Sequence, residues 1–72
     1  MNTTITVIIE HDLDSGYYAY CPDFEGCQTQ GDTLGDVIQN IREAAELYLE
    51  TLTDEEKEQL YQKRIYTTTL AL

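Results

Sequence analysis

Cys21 and Cys27 are the residues best suited to covalent or metal chemistry, and five residues separate them across a loop holding Pro22 and Gly26. Zinc sites favour cysteine pairs two to four residues apart with a second pair elsewhere. The chain has no second pair, and its only histidine, His11, is remote in sequence. A thiol nucleophile needs a neighbouring base and a depressed pKa. Fourteen carboxylates against four basic side chains push the other way. The two cysteines therefore read as small, half-buried hydrophobes, and no metal or cofactor is expected. His11 sits in a turn with Asp12 and Asp14, which would raise its pKa and could orient it for proton transfer; an ordinary solvated turn residue is the far commoner case and the reading adopted. Ser15, the only serine, has the same turn to explain it. Gly26, Gly31 and Gly35 are not followed by Lys-Ser/Thr, so they do not form a phosphate loop. Paired acids can hold a catalytic metal, but Glu46 and Glu50 lie on the polar side of a helix and Glu10 ends a strand. These acids do not converge, no catalytic residue is assigned, and the chain does not read as an enzyme.

The positioning elements must fit into 72 residues and 8.3 kDa, which is one domain spanning 1–72. A chain this short buries only about 60% of the surface it exposes when unfolded. Disulfides, metals or self-association usually supply what is missing. A formal net charge of -10 disfavours direct binding to nucleic acid or to an anionic membrane, and draws in a basic partner. No apolar run approaches the ~20 residues of a membrane span. Met1 to Thr4 shows no basic segment leading an apolar core, so a cytoplasmic protein is expected.

Thr4 to Glu10 predicts a first strand, with Ile5, Val7 and Ile9 alternating against Thr4, Thr6 and Ile8. His11 to Gly16 is a turn, Tyr17 to Cys21 a second strand stopped by Pro22, and Cys27 to Gly31 a third. Thr33 with Asp36 caps a long helix whose apolar stripe is Leu34, Val37, Ile38, Ile41, Ala45, Tyr48 and Leu52. Thr53 and Glu56 form a second capping box for a short helix over about Asp54 to Gln62. Ile65 to Leu72 reads as a closing strand. A right-handed crossover places that strand beside the first. The fold class is α+β: a two-layer β-β-β-α-(α)-β domain, sheet order 4-1-2-3, with one long helix packed on one face.

That sheet has apolar groups on both sides. If Ile5, Val7 and Ile9 meet the helix, Ile8 faces away, beside Tyr18 and Tyr20 or Tyr17 according to register. Tyr66, Leu70 and Leu72 share one side of the closing strand. A two-layer domain cannot cover its far face, so a partner or a second copy is expected there. Ile8, Tyr18, Tyr20, Tyr66 and Leu70 are the candidate oligomer interface, for a dimer or tetramer.

The stretch Gly16-Tyr17-Tyr18-Ala19-Tyr20-Cys21-Pro22-Asp23-Phe24-Glu25-Gly26-Cys27, followed by Gln30-Gly31-Asp32-Thr33-Leu34, resembles the core of the HicB-like antitoxin family. The helix Ile41-Arg42-Glu43-Ala44-Ala45-Glu46-Leu47-Tyr48-Leu49 is similar to the family's Ala-, Glu- and Leu-rich helix. The resemblance covers about residues 4 to 52. It implies a partial RNase H-like sheet. It also implies a type II antitoxin that masks a small basic RNA-cleaving toxin, HicA, by steric and electrostatic occlusion. Complementary charge speeds such an encounter. Glu10, Asp12 and Asp14 at the hairpin turn and the Asp23-Phe24-Glu25 loop are the candidate contacts, with Phe24 as an anchor. Many relatives continue into a DNA-binding segment. This chain reads as a short form that stops at Leu72, so direct autoregulation on DNA is not expected. A stand-alone homo-oligomeric module without a toxin is the alternative.

Overall fold

The structure, a computed structural model, describes residues 4–60 and 62–72. Strands β1 (Ile8–Asp12), β2 (Gly16–Tyr20) and β3 (Gln28–Gly31) are followed by helices α1 (Leu34–Glu50) and α2 (Asp54–Leu60). The strands form one antiparallel sheet in the order β1-β2-β3. The fold is α+β, and its two sheet faces divide by residue parity. Ile9 pairs with Ala19 and Ala19 with Thr29 on the helix side, whereas Ile8 pairs with Tyr20 and Glu10 with Tyr18 on the open side.

β1 begins four residues later than the alternation predicts, for a reason in its partner. With Ile8 opposite Tyr20, residues 4–7 would face the four residues from Cys21 to Phe24. There Pro22 has no N–H, and the Phe24 N–H is turned back to the Cys21 carbonyl at 3.1 Å. The ladder has nothing left to offer. β1 extends instead to Asp12, and the turn is shorter than predicted. Ser15 N–H reaches the Asp12 carbonyl at 3.2 Å, and Gly16 takes φ 88, the left-handed conformation a three-residue hairpin loop requires.

α1 starts where the capping signal puts it. The Thr33 hydroxyl accepts the Asp36 N–H at 3.0 Å. α2 carries the reciprocal box: Thr53 Oγ1 accepts from Glu56 N–H at 3.1 Å while Thr53 N–H donates to Glu56 Oε1 at 2.9 Å. α2 ends at Leu60, short of the predicted Gln62; Tyr61 lies outside the described residues.

The core lies between α1 and the sheet and consists of Ala19, Cys21, Phe24 and Cys27 against Val37, Ile41 and Ala45. α1 lies over β3 and β2. A Cβ on Gly31 would sit 2.6 Å from the Val37 backbone nitrogen, so only glycine lets the helix start this close to β3. The offset toward β3 corrects the predicted stripe: Leu34 and Ile38 are 48% and 42% exposed, because nothing covers that flank of the helix.

The predicted fourth strand is also corrected. Residues 65–72 carry no strand, so the order is β1-β2-β3 and not 4-1-2-3 within this chain. Lys63 Nζ lies 3.8 Å from Asp23 Oδ1 on the β2–β3 loop. The tail leaves from beside that loop and forms no ladder on the free edge of β1.

Candidate partner-binding surface

The hairpin builds its tip from local bonds. Asp12 Oδ1 accepts the Asp14 N–H at 2.9 Å, an Asx turn that also holds the Asp12 carboxyl below its ordinary pKa, with Ser15 adding to the effect. On the helix side of the sheet His11 stacks on Tyr17, ring centroids 4.0 Å apart and 5° from parallel. That contact accounts for the histidine's position.

On the open face, Ile8, Glu10 and Asp12 of β1 stand beside Tyr18 and Tyr20 of β2, with Gln28 and Gln30 of β3 beyond them. The Tyr18 hydroxyl donates to Gln28 Oε1 at 2.8 Å, and the Tyr18 and Tyr20 rings lie 5.8 Å apart. The sequence placed the acids in one site and the tyrosines in another. The register puts both on one face, apolar at the Ile8–Tyr20 end and acidic at Glu10 and Asp12. Glu10, Asp12 and Asp14 are all exposed.

The β2–β3 loop differs from expectation. Phe24 is 2% exposed and stacks on Tyr48 of α1 at 4.5 Å, so it is a core residue and not a surface anchor. The loop turns twice, Phe24 N–H to Cys21 carbonyl and Cys27 N–H to Phe24 carbonyl, each 3.1 Å, and this drives the ring inward. Asp23 is also largely covered, with Oδ1 lacking a hydrogen-bond partner and Lys63 its nearest cation. Of the three loop residues, Glu25 alone is exposed. The Cys27 thiol donates to Cys21 Sγ at 3.7 Å, and both cysteines are buried. Burial and the neighbouring Cys27 push the Cys21 thiol up to about 12, the opposite of an activated nucleophile. Among the described residues, no three His, Cys, Asp or Glu side chains gather as a metal site would require.

A second surface lies beside β1. Because α1 sits toward β3, the helix-side residues Ile5, Val7 and Ile9 face Ile38, Ala45 and Leu49 across an open groove of about 650 Å³. Sequence reasoning packs Ile5, Val7 and Ile9 on the helix and so misses this groove, which opens because α1 sits toward β3. In the tail, Tyr66 and Leu70 are 84% and 73% exposed. No helix among the described residues is long and apolar enough to cross a membrane.

These features define a small acidic α+β domain with a mixed tyrosine and carboxylate face. The profile described as the HicB-like antitoxin of bacterial toxin-antitoxin systems matches residues 5–70, and the chain belongs to that family. Among its relatives is the UPF0150 protein ssr1765 of Synechocystis, 56% identical over 50 residues, which are 69% of this chain and 63% of that protein. A UPF0150 protein of Helicobacter pylori is 42% identical over 72% of this chain and 71% of its own. A second Synechocystis protein, ssl0738, is 33% identical over 97% of both chains. No solved structure gives a significant match.

Proposed function

We propose that this chain binds and masks a small, basic, RNA-cleaving toxin of HicA type in the cytoplasm. It acts by occlusion, with no bond made or broken by its own residues and no direct contact with nucleic acid. Membership of an antitoxin family supports a toxin partner in general. The observation that carries the finer reading is the shared face: Glu10 and Asp12 stand beside Tyr18 and Tyr20. Carboxylates pair with Lys and Arg, and the tyrosine faces attract the same cations. A face of this kind covers a basic active site and excludes RNA from it. Asp14 and Glu25 supply long-range attraction from the rim.

The test is co-purification of the tagged chain from its own organism with intact-mass analysis. A basic companion whose RNA cleavage stops when this chain is added is the expected result. A Glu10→Lys/Asp12→Lys variant should fold normally and lose at least about tenfold in affinity, with a shallower salt dependence. Unchanged affinity in that variant would move the contact off this face.

The exposed tail favours a second reading, a homo-oligomer of two or four copies that needs no toxin. Its contacts would draw on Ile8, Tyr18, Tyr20, Tyr66 and Leu70. Recovery of this chain's multimers alone would support it.

A further inference from the structure

We propose that two copies of this chain exchange their C-terminal segments. Residues 65–72 of each seat as a fourth strand on the free edge of β1 in the other, with their side chains in the groove beside α1. The inference deepens the homo-oligomer reading and rests on it.

Groove and tail match in length. An eight-residue strand spans about 27 Å at ~3.3 Å per residue, and the extended run from Thr4 to Asp12 spans about 30 Å. They match in chemistry as well. Tyr66, Leu70 and Leu72 alternate onto one side of an extended tail, facing solvent, while Ile5, Val7, Ile9, Ile38 and Leu49 wait in the groove. β1 is an edge strand with open N–H and C=O groups, which an incoming strand completes. The charges are complementary. Thirteen of the fourteen acids, and only Arg42 of the four bases, precede Lys57; Lys57, Lys63 and Arg64 lead into the tail. Residues 59–72 hold Lys63 and Arg64 and no acidic side chain, so laying this segment on the acidic body of a second copy lowers the repulsion between two chains that each carry -10.

The donor is a second copy because the tail does not pack on its own body: Tyr66, Leu70 and Leu72 are all exposed. The chain's radius of gyration is 13.6 Å, against about 11 Å for a compact domain of this length. The tail projects from its own body. Exchange completes the 4-1-2-3 order that the single chain does not form, with the fourth strand supplied by the partner.

Sedimentation equilibrium on the full chain tests this with two variants. Leu70→Asp spoils the tail at a residue that touches no core, and Ile38→Lys spoils the groove at a half-exposed helix position. Each alone should weaken the dimer by at least about a hundredfold, because two seats are damaged per dimer. Mixing the two should restore a heterodimer, since one sound tail then meets one sound groove. A Leu70→Asp chain that associates as tightly as wild type overturns strand exchange, and if Tyr18→Asp then abolishes association, the open face is the interface and the homo-oligomer survives. A wild-type chain that is monomeric at every concentration overturns both, leaving toxin capture to its own test.

Discussion

The β2–β3 loop, Cys21 to Cys27, and the tail, Ile65 to Leu72, are nearly equal in length and both rich in apolar side chains, yet their fates are opposite. In the loop, Cys21, Phe24 and Cys27 are 2%, 2% and 7% exposed; in the tail, Leu70 is 73% exposed. Hydrophobicity does not separate them. The loop closes on itself through three backbone hydrogen bonds, which deliver every third side chain to α1. The tail has no such internal bonds, and as a strand it needs an edge on which to pair. A segment that satisfies its own backbone can join the core of one chain, whereas a segment that cannot must find a partner.

The contrast is broken most forcefully at Phe24. Phe24→Ala removes a fully buried ring stacked on Tyr48 and should cost about 3–5 kcal/mol. That is most of the stability a 72-residue domain has. Urea unfolding reads it, and a loss below ~1 kcal/mol would place the loop outside the core. The tail variant Leu70→Asp should leave the unfolding of the monomer unchanged.

Gly31→Ala comes next. The new methyl meets the backbone of α1 at Val37, which cannot rotate aside, so the helix must shift. A cost of about 1–3 kcal/mol is expected. Wild-type stability in this variant would show that the helix is free to move along β3.

A pH titration separates the loop from the tail. The Cys21 thiol is raised from 9.0 to about 12 on folding, so the unfolded chain loses its proton first. Stability is full below pH 9 and falls as pH rises toward 12, by no more than about 1.4 kcal/mol per pH unit. Cys21→Ala should flatten that decline while the tyrosine and lysine titrations common to both chains cancel. An identical slope in the two would mean that Cys21 is open to solvent.

Elements whose signals are local were legible in the sequence. Thr33, Thr53 and Glu56 announce both helix starts, and Gly16 announces the hairpin. Tyrosine-rich β2 fell within one residue of its place. What was hidden depended on pairs distant in the chain. Nothing near Phe24 reveals that Tyr48 awaits it, so a phenylalanine between two acids reads as a surface anchor. Ile38 looks like a core residue until Gly31 draws the helix toward β3. The shared face of Glu10, Asp12, Tyr18 and Tyr20 emerges only once Ile8 is set against Tyr20. A register shift of one residue would send the acids to the other side.

The stack of His11 on Tyr17 gives this protein a built-in spectroscopic label. Its single imidazole lies in the shielding cone of a parallel phenol ring, so its two carbon-bound protons resonate upfield of a free histidine's. A protein that pulls on the hairpin moves those two lines, and one that docks at the far end of the molecule leaves them still. The mode of association can thus be read from a one-dimensional proton spectrum without any isotope.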